Sequence, residues 1–236
     1  MRDSLRHFVS EFIGTFALVF VGGAAIMVVS QSNSASGLLQ IALAHGLVLA
    51  VFISALMRIS GHFNPAVTFG FLVARRIEPM MAGLYIVAQL LGALVAAYAL
   101  KALFPTEVAT ATRLGGQALA LDVTFTKGVF AEAIATFFLV FAVFGTAVDP
   151  HAPKVGGFAI GLTVAADILA IGPLTGASMN PARSLGPAVA SGQYEAQGVF
   201  WIGPILGGVA AALLYDTLFL RRGKENPLHG PVEPNG

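Results

Sequence analysis

The stretch Gly176-Ala177-Ser178-Met179-Asn180-Pro181-Ala182-Arg183-Ser184 has an earlier twin in Gly61-His62-Phe63-Asn64-Pro65-Ala66-Val67-Thr68, and this pair constrains the chain more than any other feature. Each reads as the start of a helix, because Asn is a favoured N-cap and Pro fits the first helical position, where its missing N–H had no partner. Each apolar pattern then ends after eight to ten residues, at Arg75-Arg76 in the first case and at Ser191-Gly192 in the second. That is about half of a membrane crossing, which takes roughly 20 residues. Two half-helices at matching places of a membrane protein point to a permeation site.

The rest of the chain supplies the membrane protein. With 56% hydrophobic and 11% charged residues and a mean hydropathy of +0.81, it reads as an integral membrane protein. Six apolar runs are long enough to cross: Phe8 to Val29, Gly37 to Met57, Pro79 to Leu103, Gly128 to Val148, Val155 to Ile171 and Gln197 to Leu220. The fifth is short and ends at Gly172-Pro173. The first is long, carries Glu11 and lacks a small-residue cleavage site after a short core, so it reads as a span and not a signal peptide. Phe104 to Lys127 is the one long loop. A net charge of +1, with basic residues flanking apolar runs, excludes nucleic acid as a partner. There is no Cys, hence no disulfide and no thiolate metal site, and no cofactor or metal is expected.

The chain repeats itself. Glu11-Phe12-Ile13-Gly14-Thr15-Phe16-Ala17-Leu18-Val19-Phe20 laid over Glu132-Ala133-Ile134-Ala135-Thr136-Phe137-Phe138-Leu139-Val140-Phe141 gives seven identities in ten. The match continues through Ala44-His45-Gly46-Leu47 with Ala159-Ile160-Gly161-Leu162, the two Asn-Pro-Ala triplets, and Gly83-Leu84-Tyr85 with Gly198-Val199-Phe200. The expected division is a first repeat over 1–103, a connecting loop outside the cytoplasm over 104–127, a second repeat over 128–222 and a disordered tail over 223–236. Each repeat holds three spans, an odd number, so the second enters the membrane from the opposite side. The two half-helices then dip from opposite faces and meet near the midplane. The fold class is therefore an all-α membrane protein of six transmembrane helices and two re-entrant half-helices. With the N-terminus inside, Arg2, Arg6, Arg58, Arg75, Arg76, Lys154, Arg221, Arg222 and Lys224 fall on the cytoplasmic side, against Lys101, Arg113, Lys127 and Arg183 outside. That asymmetry puts both termini in the cytoplasm, and the cell (inner) membrane is the expected location.

The triplets carry the chemistry. Each Asn side-chain oxygen can cap its own half-helix, which leaves the amide NH2 as a pair of donors aimed away from it. Each half-helix also presents about half a positive charge at its N-terminus. Two such ends repel cations, while Asn64 and Asn180 offer hydrogen bonds to a passing oxygen. A water bonded to both turns its hydrogens toward the two halves of the pore, so no proton wire runs through that point. Dense small residues, such as Gly22-Gly23-Ala24-Ala25 and Gly207-Gly208, are read as tight helix packing.

With these residues in view, the chain resembles the aquaporin family over essentially its full length, from about Phe8 to Arg221. The paired triplets Asn64-Pro65-Ala66 and Asn180-Pro181-Ala182, the Glu at the start of spans one and four, and Arg183 directly after the second triplet carry the resemblance. It implies a right-handed six-span bundle assembled as a homotetramer in lipid, with one pore per subunit. It also implies a selectivity filter of four residues, here His45, Ile168, Ala177 and Arg183. This set is similar to that of the plant tonoplast intrinsic proteins, which implies a constriction wider than the strict water filter. Water and small neutral solutes are the expected cargo: ammonia passes along with water, and urea comes within range. Ser184 and Ala188 stand where glycerol facilitators have Asp and a basic residue, and Phe200-Trp201 matches the water type. The loop Ser60-Gly61-His62 is one Gly shorter than the common family form.

Glu11 and Glu132, symmetric in the repeat, are read as acceptors for half-helix backbone N–H groups, a supporting role. Asp167 beside Ile168 has no twin, and Arg183, Arg113 or the outer vestibule are its candidate partners. His7, His151 and His229 lie at ends and loops and receive no role beyond solvation. An ion-coupled transporter shares the inverted-repeat architecture but needs a titratable group at the central site, where this chain has Asn. An intramembrane enzyme needs a nucleophile and base or metal ligands beside the triplets, and none stands there. A passive channel is the expectation, and not an enzyme.

Overall fold

A chain crossing lipid must bond every backbone N–H and C=O internally, so apolar runs of crossing length become helices. The computed structural model describes residues 2–32 and 34–220. In order, the helices are α1 (Arg2–Ser30), α2 (Gly37–Leu56), α3 (Pro65–Val73), α4 (Pro79–Leu103), α5 (Thr106–Ala111), α6 (Phe125–Val143), α7 (Gly156–Thr175), α8 (Pro181–Ser191) and α9 (Val199–Tyr215). Both α6 and α9 continue through a wider π turn, Phe144–Val148 and Asp216–Leu220 respectively. Six of these helices are long and apolar enough to cross a membrane. The two short ones that begin at Asn-Pro, α3 and α8, are the expected half-helices.

Where boundaries differ from the apolar pattern, capping chemistry explains the difference. Helix α1 starts at Arg2, not Phe8, because apolar content tracks depth in the membrane while backbone bonding runs on into the polar turn of Asp3 and Arg6. Helix α6 starts three residues early, where Thr124 Oγ1 accepts from the Lys127 N–H at 3.3 Å. Helix α7 does not stop at Gly172-Pro173. It runs to Thr175, where Gly176 in a left-handed conformation (φ 80°) bonds its N–H to Gly172 O at 2.9 Å and closes the end. Pro173 sits in that last turn and removes only one ladder donor. The loop 104–127 is not irregular throughout: it contains α5 and a 3-10 turn at Arg113–Gly115, and Ala120 N–H bonds Leu174 O at 2.9 Å. The tail 223–236, together with Arg221 and Arg222, lies outside the described residues.

The packing is paired across the two halves of the chain. Helix α1 lies against α4 as α6 lies against α9, α1 meets α2 as α6 meets α7, and α3 packs on α9 as α8 packs on α4. Helices α2 and α7 cross each other at the centre, and the tips of α3 and α8 touch. The crossing is close because it is made of small residues: a Cβ on Gly161 would run into Gly46 O, and one on Gly46 would sit 2.6 Å from Gly161 O. With no hydrophobic drive between helices in lipid, such contacts supply the attraction. At the far end of each half-helix a basic residue holds the last turn. Arg76, just past α3, donates through Nε (2.8 Å) and Nη2 (2.6 Å) to Asp216 on α9, and Lys101 donates to Ala190 O at the end of α8 at 2.8 Å.

Candidate pore and selectivity filter

The geometry at the tips starts with the residue before each Asn. Phe63 (φ 49°) and Met179 (φ 53°) both hold the left-handed conformation, unusual for non-glycine residues and worth about 1–3 kcal/mol of strain each. Their neighbours hold them there. Glu11 accepts from the His62 N–H at 2.8 Å and the Phe63 N–H at 2.7 Å, and also from Ser60 Oγ and from Gln89 Nε2 at 2.6 Å. Glu132 does the same in the other half, accepting from Ser178 N–H (2.9 Å), Met179 N–H (2.7 Å) and Thr175 Oγ1 (2.7 Å). The two carboxylates thus bond the loops that lead into the half-helices, not the half-helices themselves. The first-turn N–H groups belong to the caps.

Those caps form as the triplets suggest. Asn64 Oδ1 accepts from Ala66 N–H at 2.8 Å, and Asn180 Oδ1 accepts from Ala182 N–H (3.0 Å) and Arg183 N–H (3.2 Å), with Pro65 and Pro181 at the first helical position. The amides, however, do not keep both donors free. Asn64 Nδ2 donates to Met179 O at 2.7 Å and Asn180 Nδ2 donates to Phe63 O at 2.9 Å. The left-handed turns aim those carbonyls at the opposite Asn, so each triplet is tied to the other repeat and one amide N–H per Asn remains.

The residues singled out for the filter converge. His45, Ile168, Ala177, Arg183, Asn64 and Asn180 all line one cavity of about 20 Å3, together with apolar side chains such as Leu18, Leu139 and Val164. That volume admits one or two waters, since each needs about 10–15 Å3. Arg183 Nη2 lies 2.9 Å from His45 Nε2, and His45 Nδ1 lies 2.8 Å from Ile41 O. A guanidinium only donates, so Nε2 is the acceptor and the proton is on Nδ1: His45 is neutral there. Arg183 Nη1 is buried with no hydrogen-bond partner among the described residues. Helix α2 is continuous through His45, and the loop Ser60-Gly61-His62 follows it.

Other residues were not marked as site residues by the sequence. Gly22 does more than let helices pack: a Cβ there would overlap the His45 imidazole, and one on Gly14 would overlap the Phe63 ring. The repeat could have signalled Gly14, which precedes a Thr in a matched segment; nothing local signals Gly22. Of the alternatives for Asp167, the two arginines are taken elsewhere: Arg113 pairs with Glu195 at 2.7 Å and Arg183 meets His45, while Asp167 is buried with Oδ2 unmatched among the described residues. His7 is not merely solvated, since its Nδ1 lies 2.6 Å from the Tyr85 hydroxyl. His151 stays at the surface, with its backbone N–H on Asp149 at 2.9 Å, a bond that holds the Asp149 carboxyl below its usual range. His229 lies outside the described residues. Among the described residues no cluster of His, Cys, Asp and Glu could hold a metal.

Comparison with known proteins agrees with this architecture. Residues 1–215 match the family described as Major intrinsic protein. The chain is 42% identical over 233 residues to aquaporin TIP4-4 of Zea mays, covering 95% of this chain and 90% of that one. It is also 42% identical over 234 residues to aquaporin TIP2-1 of Arabidopsis thaliana, covering 95% and 92%. Among solved structures it superposes on the aquaglyceroporin from Plasmodium falciparum with a TM-score of 0.80 and 25% identity, over 91% of this chain and 96% of that one.

Proposed function

The chain belongs to the major intrinsic protein family, as an integral multi-pass membrane channel of the aquaporin type that conducts water and is not an enzyme, and from that premise we propose that its pore also passes ammonia while rejecting ions and protons. The observation that carries this reading is the composition of the constriction. Ile168 and Ala177 offer an apolar wall, and His45 with Arg183 a polar one. Ammonia donates and accepts like water but loses less on meeting an apolar wall, so a half-apolar ring favours it. Urea is larger and carries two amides; it passes more slowly than ammonia.

Ion rejection has three supports. The half-helix N-termini of α3 and α8 meet with their positive ends together. Arg183 adds a fixed charge. One N–H on each of Asn64 and Asn180 orients a central water, which breaks the proton wire. Glu11 and Glu132 serve as supports of the two loops. In this reading 1–103 and 128–222 are inverted repeats joined by 104–127, and the paired packing of α1 to α4 and α6 to α9 supports that division. We further propose a homotetramer with one pore per subunit, set in the lipid of the cell membrane with both termini cytoplasmic.

Stopped-flow light scattering on proteoliposomes tests the solute range, comparing shrinkage in an impermeant osmolyte with re-swelling in urea and in glycerol and with internal alkalinisation by ammonia. Fast water with fast ammonia and slow glycerol is expected. Fast water with no ammonia above the lipid background would overturn the widened filter, and glycerol as fast as ammonia would favour a small-solute facilitator.

A further inference from the structure

Lys101 on α4 and Asp216 at the end of α9 hold equivalent places in the two repeats, because the offset of 115 residues between Gly83 and Gly198 also separates Lys101 from Asp216. Each reaches the last turn of a half-helix. At α3 the contact is an ion pair, with Arg76 donating to Asp216 at 2.8 and 2.6 Å, so charge meets charge. At α8 it is not. Lys101 donates to the neutral Ala190 O at 2.8 Å, and among the described residues its ammonium forms no ion pair. An ammonium has three donors, so two remain. The C-terminal end of α8 offsets only about half of the positive charge.

A cavity of about 100 Å3 lies beside this ammonium, lined by Lys101, Thr106, Thr110, Ser191 and Gln193, with apolar Leu114 among its walls. It has room for several waters at about 10–15 Å3 each, and it opens at the surface, since Lys101, Thr106 and Thr110 are exposed. The other donors are weakly engaged. Gln193 Nε2 reaches Thr110 O at 3.5 Å and Ser191 Oγ reaches Ala188 O at 3.5 Å, both longer than the roughly 3.2 Å at which good hydrogen bonds end. No carboxylate lines the cavity: exposed Glu107 stands outside it, and Glu195 is bound to Arg113 at 2.7 Å. A lone ammonium ringed by hydroxyl and amide donors suits an anion with several oxygens.

The surroundings set this cavity at the height of lipid headgroups. Three crossings, α1, α2 and α4, carry the chain to the end of the bundle opposite the N-terminus, where Lys101 stands. Tyr98, one turn before Lys101, and Tyr194, next to Gln193, are 50% and 54% exposed, and such Tyr residues collect at the membrane–water boundary. Val87, Leu91 and Val95 continue from Tyr98 as an exposed apolar stripe along the same face of α4, a path for an acyl chain. We propose that the cavity binds the phosphodiester headgroup of an anionic phospholipid. Lys101 is its charged partner, Thr106, Thr110, Ser191 and Gln193 are its hydroxyl and amide donors, and the lipid brings to the end of α8 the negative charge that Asp216 brings to the end of α3.

Native mass spectrometry of the full chain released from detergent, titrated with phosphatidylglycerol, reads this binding directly. One lipid per chain is expected to bind more tightly than the rest. Lys101→Gln is expected to weaken that lipid about tenfold, the scale of one charge-assisted hydrogen bond. Thr110→Val leaves the Lys101 bond to Ala190 O in place and is expected to weaken it about threefold, the scale of one neutral hydrogen bond, so the test stays decisive if Lys101→Gln loosens α8. Phosphatidylcholine, whose phosphate already carries a cation, is expected to bind more weakly. The same affinity in the parent and both variants overturns the proposal, as does equal binding of the two lipids. Inorganic phosphate added as a competitor separates the two sources of a phosphate group. It is expected to leave the lipid bound, and displacement of the tight lipid by phosphate would give the cavity to a free anion and overturn the lipid site.

Discussion

Glu132 accepts three hydrogen bonds inside the membrane, two from the backbone of a strained loop and one from Thr175. Each donor left unmatched by its removal costs about 1–3 kcal/mol. Glu132→Ala is therefore expected to lower the melting temperature in detergent far more than Glu132→Gln, which keeps one acceptor oxygen; equal melting points for the two would show that the loop stands without the carboxylate. At the proposed filter, His45 meets Arg183 through Nε2 and is seated against Gly22. His45→Phe removes that acceptor and lengthens the apolar wall with a bulkier ring. Ammonia flux is expected to drop by about tenfold, a barrier change of about 1.4 kcal/mol, with water reduced less. Measured ammonia and water permeabilities that fall in equal proportion would argue against a selective role for this side chain.

Among the elements, the half-helices are too short to be stable alone, since isolated helices under about 12–15 residues are marginal. They persist because both ends are held. Asn64 and Asn180 cap the inner ends and tie each to the opposite repeat, while Arg76 with Asp216 and Lys101 with Ala190 O hold the outer ends. A cation near a helix C-terminus also suits the helix dipole. The crossing of α2 on α7 has no such polar device and relies on contact between Gly46 and Gly161. Gly161→Val there forces the helices apart, at about 1–3 kcal/mol or more for overpacking. The expected outcome is a less stable channel with reduced water flux, read by thermal unfolding and by proteoliposome shrinkage, and an unchanged melting point would mean that the crossing is looser than the close Gly contacts imply. Much of this was legible from sequence. Asn-Pro-Ala announces its helix start through local capping chemistry, and the apolar runs announce their spans through length. The wider π turns of α6 and α9 and the short α5 were not, because they are settled by packing at the helix ends.

For the whole molecule, orientation and assembly have direct tests. The sequence contains no Cys, so single Cys substitutions at Lys154 and at Asp122 report sidedness without background. An impermeant maleimide is expected to label position 154 only from the cytoplasmic side and position 122 only from the other, and the reverse pattern would invert the topology. Light scattering of the detergent complex is expected to return four copies of the 24.4 kDa chain. By itself the sequence determined the number of spans, the two half-helices and their opposite entry, because these follow from local periodicity, from caps and from a repeat with an odd number of crossings. Only the tertiary structure decided which donors the pore keeps, since the Asn amides are bonded across 115 and 117 residues of chain. It likewise decided that His45 is neutral and bonded to Arg183, that Asp167 takes neither Arg113 nor Arg183, and that His7 meets the Tyr85 hydroxyl. The reason is physical: a side chain's charge state and free hydrogens depend on the atoms within about 3 Å of it. For these residues those atoms come from remote turns of the chain.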